Sequence, residues 1–311
     1  MPRTRKGRPI DGWLVIDKPS GLTSTDVVNR LKRAFRAQKV GHGGTLDPLA
    51  TGVLPIAFGA ATKTVPYVMD GAKEYVFTLR FGEARDTDDA DGQVIETSPV
   101  RPTDEAIRAA LPRFTGDIEQ IPPRYSAVKV EGERAYDLAR EGIAVELAPR
   151  PARIDSLLLE ARPDPDTAVF RVVCGKGVYM RSLARDLARA LGTVGHVAAL
   201  RRLRVGPFTE RDAVALDRAE AMGQEDGAPG FLKPIETALA DIPALALTAA
   251  EAQRLANGER LSLVSFLGRI PPEADPDGGV VRVMAGGKAL AIGRLEAGML
   301  HPVRLLSPQP G

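Results

Sequence analysis

The first amphipathic segment of the chain lies near its N-terminus. Apolar residues repeat every three or four positions from Val27 to Phe35. This spacing predicts a helix with one buried face. Ser24 or Thr25 stands where an N-cap is needed, so we expect one of these hydroxyls to begin the helix.

A second helix is predicted from Met180 to Leu191, with Gly192 ending it. Its apolar residues share one face, which we expect to point inward. The polar face carries three arginines that the same pattern places outward: Arg181, Arg185 and Arg189.

Alternating or continuous apolar runs predict three strands. Tyr75–Phe81 puts every second, apolar residue on one face. Gly12–Ile16 and Val169–Cys174 are shorter runs that suit buried strands. An acidic turn, Asp86–Gly92, follows the first of these segments, and we interpret it as the solvated tip of a hairpin.

Two segments depart from this pattern and define the expected domain organisation. Residues 121–150 are polar, bounded by prolines and helical only around Ala135–Arg140, as expected of an insertion over a site. From residue 243 onward, a capping box at Thr248 and three short apolar runs predict a small mixed module. We therefore divide the chain into a main domain, 1–242, and a C-terminal module, 243–311.

Charge is unevenly distributed although the formal net charge is only +2. Residues 1–40 contain ten basic and three acidic side chains, and residues 171–204 contain eight basic and one acidic. Residues 83–105 reverse this balance, with eight acidic and two basic side chains. The two basic blocks indicate either solvated faces or a local surface that binds a polyanion.

Several common kinds of site are excluded by composition and spacing. Cys174 is the only cysteine, which excludes an intramolecular disulfide and a zinc site built from paired cysteines. Aligning the acidic turn with a calcium loop places Thr87 and Ser98 where carboxylates are required. No apolar run approaches the roughly 18 residues of a membrane span, so we expect a cytoplasmic protein without a membrane association.

One glycine-rich stretch carries the candidate chemistry. It holds a single carboxylate, Asp47, between apolar residues, in a loop whose glycines let the main chain approach a ligand. An isolated Asp-Pro pair would indicate only a turn. The whole string is more informative: Val40-Gly41-His42-Gly43-Gly44-Thr45-Leu46-Asp47-Pro48-Leu49-Ala50-Thr51-Gly52-Val53-Leu54-Pro55.

This string resembles the signature of the bacterial tRNA pseudouridine-55 synthases, the TruB family. The resemblance extends over roughly residues 10–215 through further motifs. These are Lys18-Pro19-x-Gly21-x-Thr23-Ser24, Lys73-x-Tyr75, Pro122-Pro123-x-Tyr125-Ser126-Ala127-x-Lys129, Tyr136, Ala139-Arg140-x-Gly142, Gly177-x-Tyr179-x-Arg181-Ser182-Leu183 and His196-x3-Leu200-Arg201-Arg202.

The resemblance implies a fold and a reaction. The fold would be α+β, with a mixed, largely antiparallel sheet, flanking helices and a small PUA-like C-terminal module. The reaction would be the isomerisation of uridine 55 in the tRNA T-loop to pseudouridine after base flipping. Since nothing is added or removed in that reaction, it implies no cofactor and no metal.

The resemblance also assigns site residues. Asp47 would be the catalytic aspartate, and Arg181 would keep it ionised. Tyr75 would stack on the target base and is a candidate acid or base at C5. Three further residues would bind substrate. Tyr179 and Leu200 would line the uracil pocket, and His42 would enter the vacated base stack. Without the resemblance, Tyr75 and Leu200 equally suit core packing, and a lone histidine is more often structural.

The implied partner is the T-arm stem-loop of tRNA, with no obligate protein partner and a monomeric enzyme. The two basic blocks would hold phosphates, and the insertion 121–150 would clamp the arm. Three alternatives stay open from the sequence: an RNA chaperone, a guide-RNA-dependent catalytic subunit that needs protein partners, and a synthase acting on another uridine.

Overall fold

A computed structural model of the chain describes residues 7–126, 128–130, 133–134, 147–225 and 228–306. The basic residues Arg3, Arg5 and Lys6 lie outside these ranges. So do the helix predicted around Ala135–Arg140 and half of the insertion 121–150.

In chain order, the α-helices of the described residues are α1 (Ser24–Ala34), α2 (Val65–Asp70), α3 (Asp104–Ala110), α4 (Met180–Ala190), α5 (Leu216–Gln224) and α6 (Ala249–Ala256). The strands are β1 (Gly12–Lys18), β2 (Val40–His42), β3 (Thr51–Phe58), β4 (Lys73–Phe81), β5 (Glu83–Arg85), β6 (Val94–Thr97), β7 (Gly116–Gln120), β8 (Lys129–Val130), β9 (Glu133–Arg134), β10 (Arg150–Asp164), β11 (Thr167–Cys174), β12 (Gly195–Val205), β13 (Phe208–Thr209), β14 (Ala213–Ala215), β15 (Ala244–Ala246), β16 (Leu261–Ser262), β17 (Val280–Ala285), β18 (Lys288–Glu296) and β19 (Met299–Leu305).

A large mixed sheet forms the framework of the main domain. Its strand order is β14-β1-β3-β12-β4-β11-β10-β7, with β2 paired to β3 and β13 paired to β12. The β1–β14 and β3–β12 pairs are parallel, and the other pairs are antiparallel. The predicted strands are confirmed as β1, β4 and β11, and the expected mixed, largely antiparallel sheet is confirmed with them.

Two central strands, β3 and β12, were not predicted. Seven of the eight residues of β3 are buried, so both of its faces contact protein and no polar alternation marks it. β12 lies between β3 and β4 and carries three arginines, so its sequence is typical of an exposed polar segment. Polar alternation is a signal only where one face of a strand meets water.

Helix α1 begins at the predicted place but uses a different cap. Thr23 is the N-cap, and it forms a capping box with Asp26. Ser24 is instead buried inside the first turn, where its hydroxyl donates to the Leu46 carbonyl and accepts from the Leu46 N–H at 2.8 Å. The expectation that Ser24 or Thr25 caps the helix is therefore wrong, because Ser24 is used to hold the loop that carries Asp47.

Helix α4 confirms the apolar face but not the arginine face. Met180, Leu183 and Leu187 are buried as predicted. Arg181 is also buried, at 7% exposure, so the expectation that it points outward is wrong. It lies in the first turn of the helix, where it meets two carboxylates that are described below.

A second sheet begins at Ala244, one residue after the predicted boundary. Its strand order is β15-β17-β18-β19-β16, and α6 carries the predicted capping box at Thr248. Leu239 of the main domain packs with Ile292 and Leu306 of this sheet. None of the helices among the described residues has the length and apolar content needed to span a bilayer. The PUA-like character of the module stays a prediction.

A substitution at Gly52, at the start of β3, tests how tightly the sheet constrains the preceding loop. Gly52 has φ +97° and pairs with Arg202, and a Cβ there would overlap the main chain of Arg202. We predict that Gly52→Ala lowers the free energy of unfolding by about 2 kcal/mol or more, because it adds left-handed strain and overpacking. Thermal unfolding followed by circular dichroism measures the effect.

The matched control is Gly175→Ala, since Gly175 has ordinary φ and its added Cβ would make normal contacts with Arg153. This variant should change the unfolding free energy by less than about 0.5 kcal/mol. Equal destabilisation of both variants would contradict the prediction.

Candidate active site

Asp47 lies in the loop between β2 and β3, and its side chain is 35% exposed. The loop is supported from below by buried Leu46 and Ala50. A side chain at Gly43 would be crowded, because a Cβ there would lie 3.3 Å from the ring of Trp13 and 3.0 Å from Val68. The carboxylate is thus presented at the surface by a tightly packed main chain.

Arg181 holds the Asp47 carboxylate at two points. Its Nε lies 3.0 Å from Oδ2, and its Nη2 donates to Oδ1 at 3.1 Å. The arginine side chain is only 8% exposed, whereas the carboxylate remains accessible. Two parallel contacts from a planar guanidinium fix the orientation of the carboxylate.

A second carboxylate shares Arg181. Asp89 Oδ2 lies 3.7 Å from the arginine Nε, and the Asp89 side chain is 7% exposed. Arg181 also donates to the carbonyls of Thr87 and Tyr125, at 3.1 and 3.0 Å. The guanidinium is therefore held on several sides while it faces Asp47.

The structure confirms Asp86–Gly92 as the turn between the paired strands β5 and β6, but the expectation that this turn is solvated is wrong. The turn is attached to β12 by main-chain hydrogen bonds from Val197 to Asp88 and from Ala90 to Val197. This attachment buries Asp89 beside Arg181. The acidic composition of the turn predicted solvent exposure, because acidic turns are usually exposed. Here a buried arginine supplies the partner that a buried carboxylate needs.

Lys18 lies beneath the same loop. Its Nζ donates to the carbonyl of Leu22 at 2.6 Å and to that of Pro48 at 3.2 Å, next to Asp47. Burial lowers the pKa of Lys18 to about 8, and the nearby Asp47 carboxylate opposes this shift. The ammonium links the main chain after β1 to the turn that follows Asp47.

Tyr75 lies on β4 at 8% exposure and faces the loop. It lies directly opposite the buried Arg202 of β12 and interacts electrostatically with both Arg202 and Asp47. Burial raises the pKa of Tyr75, with Arg202 acting in the opposite direction. Tyr75 therefore presents a phenol, close to the carboxylate, at neutral pH.

The remaining predicted site residues surround this centre. Tyr179 precedes α4, is half-buried and interacts electrostatically with both Arg181 and Asp47. Its main chain is fixed by Gln120, which accepts from its N–H at 3.0 Å. Leu200 is buried in the same core cluster as Tyr75.

His42 ends β2, just before the glycines of the Asp47 loop. Its Nδ1 is buried and has no hydrogen-bond partner within the described part of the chain. Burial, followed by the charge of Arg202, lowers the pKa of His42, so the ring is neutral at pH 7.

Sequence reasoning brought these residues together but missed three charged neighbours: Lys18, Asp89 and Arg202. Lys18 and Arg202 lie within the motifs that carry the family resemblance, and this position was the only sequence signal that they belong to the site. Hydropathy places charged residues at the surface, so their burial follows only from the assembled fold.

The second basic block is largely neutralised by the structure. Six of its eight cations form ion pairs, namely Arg171, Lys176, Arg181, Arg185, Arg201 and Arg204. Arg202 is buried. In the first block, Lys32, Arg33 and Lys39 are exposed and make no ion pair within the described residues. Among the described residues of the two basic blocks, the exposed charge that has no ion pair therefore lies mainly on and beside α1.

Comparison with known families gives two matches along the chain. A profile described as TruB family pseudouridylate synthase (N terminal domain) matches residues 32–180. A second, described as tRNA pseudouridylate synthase B C-terminal domain, matches residues 181–240. The matched region includes all six predicted site residues.

Curated relatives match almost the whole length. A protein named tRNA pseudouridine synthase B from Gluconacetobacter diazotrophicus is 68% identical over 98% of this chain and 100% of its own. Proteins of the same name from Rhodospirillum rubrum and Caulobacter vibrioides are 58% and 51% identical, over 99% and 98% of this chain and 100% and 99% of theirs.

Solved structures agree in fold. One chain of a crystal structure of a Cbf5-Nop10-Gar1 complex superposes with a TM-score of 0.73 at 25% identity, covering 96% of this chain and 85% of that chain. Fold, matched profiles and relatives together define an isomerase of the pseudouridine synthase class. Within that class, the chain belongs to the TruB family.

Because Asp47 and Asp89 both contact Arg181, the contribution of Asp89 to the reaction can be tested. We predict that Asp89→Asn lowers the single-turnover rate of pseudouridine formation by about tenfold or more, since a neutral amide no longer holds Arg181 against Asp47. Rapid-quench assays at saturating enzyme, followed by nucleoside chromatography, measure this rate.

Asp86→Asn is the control, because Asp86 lies in the same turn and accepts only from the Gln93 N–H among its described hydrogen bonds. It should retain the wild-type rate within about twofold. An Asp89→Asn rate as fast as that of the control would show that Asp89 does not support the ion pair.

Proposed function

We propose that the chain converts uridine 55 in the T-loop of tRNA to pseudouridine, without a protein partner and as a monomer. The proposal rests on the matched string around Asp47 and on relatives that are named tRNA pseudouridine synthase B. The observation that carries the chemistry is the two-point contact between Arg181 and the accessible Asp47.

The reaction needs one bond broken and one formed. The N1–C1′ bond of uridine is cleaved, the uracil turns, and a C5–C1′ bond replaces it. C5 then loses its proton and N1 gains one, so the overall composition is unchanged. The protein has to supply a carboxylate, a surface that retains the detached uracil, and a group near C5.

Asp47 is the proposed carboxylate. It is paired with Arg181 and remains open to a ribose or a base. Attack at C1′, attack at C6 and removal of a sugar proton each require the charged form. Arg181 therefore supports all three routes in the same way, by holding the carboxylate with two donors.

The proposed uracil pocket combines Tyr75, Tyr179 and Leu200. An aromatic ring stacked on a base contributes about 1–3 kcal/mol. The raised pKa of Tyr75 keeps its hydroxyl protonated before reaction, so the ring provides the stacking surface and the oxygen lies close to the carboxylate. Tyr179 and Leu200 would close the pocket around the turning base.

A uridine in folded tRNA is stacked, so the enzyme has to flip it out at a cost of a few kcal/mol. We propose that His42 fills the vacated stack. The lowered pKa of His42 keeps this ring neutral, which suits stacking between bases. Residues 121–150 would clamp the arm, and 243–311 would form the PUA-like module that follows the catalytic domain 1–242.

The first test replaces the proposed catalytic group. We predict that Asp47→Asn forms no detectable pseudouridine in an unmodified T-arm transcript, yet binds that transcript within about threefold of wild type, because the amide keeps the shape but not the charge. Chromatography of the digested nucleosides, without added cofactor or protein, detects the product. Mass alone would miss an isomer.

Asp117→Asn is the matched control, because Asp117 is an 85% exposed carboxylate on β7. A transcript with cytidine at position 55 tests the target nucleotide. Turnover by Asp47→Asn would show that Asp47 is the wrong carboxylate. Product in the cytidine transcript would show that another uridine is modified. Inactivity of the wild-type chain alone would favour a guided or chaperone function.

The second test addresses the RNA surface. We predict that tRNA affinity falls steeply with salt, and that the triple variant Lys32→Gln, Arg33→Gln, Lys39→Gln reduces the log–log salt slope by roughly 0.9 for each phosphate contact it removes. Fluorescence anisotropy across a salt series measures the slope.

Lys176→Gln serves as the comparison, since Lys176 is 71% exposed but is paired with Asp70. It should leave the slope close to the wild-type value. An equal loss of slope in both variants would show that the side of α1 has no special role in binding RNA.

A further inference from the structure

Arg202 is a buried arginine in the middle of the main sheet. It lies on β12 between β3 and β4, opposite Gly52 on one side and Tyr75 on the other. The residue is 1% exposed and is among the largest fully buried side chains of the described residues. A cation in this position has no contact with solvent and needs partners from the protein.

Its guanidinium contacts both ends of the Asp47 loop. Nη2 donates to the Gly44 carbonyl at 3.1 Å and Nη1 to the Thr45 carbonyl at 3.2 Å, on the chain before Asp47. Nε donates to the Val53 carbonyl at 2.8 Å, on the chain after it. One side chain thus ties together the two segments that fix the position of the carboxylate.

A guanidinium has five N–H donors, and these three contacts leave two of them. Tyr75 lies directly opposite Arg202 on the neighbouring strand, so the two side chains share one face of the sheet and interact electrostatically. One rigid planar group is thus bound to the loop and packed beside the tyrosine.

No carboxylate forms an ion pair with Arg202 among the residues that the structure describes. Carbonyl dipoles and a phenol balance its charge. The effect of that charge extends to neighbouring groups, since it contributes to the lowered pKa of both His42 and Lys18. Such a buried charge is costly for folding alone, which points to a role in the site.

We propose that Arg202 is a positioning residue that sets Asp47 and Tyr75 at a fixed separation by holding the Asp47 loop through three main-chain carbonyls and by packing opposite Tyr75 on the neighbouring strand. The inference rests on the roles proposed for Asp47 and Tyr75. It adds that their geometry is maintained by a residue that never touches substrate. Lysine cannot replace it, because a single ammonium has neither the reach nor the planar fork for three carbonyls.

The experiment compares Arg202→Lys and Arg202→Met with the control Arg201→Lys. Arg201 is the next residue on β12, but it is 39% exposed and pairs with Asp17 and Glu210. We expect both Arg202 variants to lower kcat on T-arm RNA by about 100-fold or more while KM and Kd stay within about threefold. Arg201→Lys should keep both parameters.

A second measurement is independent of turnover. The chain has three histidines, so NMR titration can follow the ring of His42. Arg202→Met should raise the pKa of His42 because it removes the nearby cation, whereas Arg202→Lys and Arg201→Lys should change it less. If the substitutions only disturbed the structure, without a charge effect, the pKa of His42 would not rise more in Arg202→Met than in Arg202→Lys.

The outcomes distinguish this inference from the proposed function. Inactive wild-type protein refutes the function itself. Active wild-type protein with an Arg202→Lys kcat within threefold overturns the positioning role, as does a parallel rise in KM. Failure of both Arg202 variants to reach a native circular dichroism spectrum at 10 °C also overturns it, since Arg202 would then serve folding.

Discussion

A carboxylate that acts on RNA has to be charged and also reachable, and these requirements oppose each other. Exposure keeps a carboxylate ionised but leaves it mobile, whereas burial fixes it but favours its neutral form. Asp47 meets both requirements because its exposed edge is combined with a buried counter-charge. The carboxylate is 35% exposed and the guanidinium of Arg181 only 8%. Most of the surrounding structure serves to keep this pair in place.

The support is supplied mainly by cations that bind main-chain carbonyls. Lys18 holds the turn after Asp47 through Pro48, and Arg202 holds the segments before and after it. Main-chain contacts of this kind constrain the loop without presenting further side chains to the substrate. A site in which small displacements reduce the rate benefits from such support.

The sequence predicted the outer framework better than the centre. The strands β1, β4 and β11 and the helix α4 follow from hydropathy, because each has one polar side or clear ends. The strand β12 does not, since three arginines give it a polar sequence although one of them, Arg202, is buried. Arg181 departs from the helical pattern because it is buried against two carboxylates that pair with it. The string around Asp47 located the site through family resemblance, but it could not reveal Asp89, which is adjacent only in the folded chain.

The packing beneath the loop has a practical consequence. Trp13 is the only tryptophan of the chain, and its ring lies directly under Gly43, four residues before the proposed catalytic group. Indole emission depends on the immediate surroundings of the ring. The unlabelled protein therefore carries an intrinsic optical reporter at the loop, through which local rearrangement during RNA engagement can be timed separately from the chemistry.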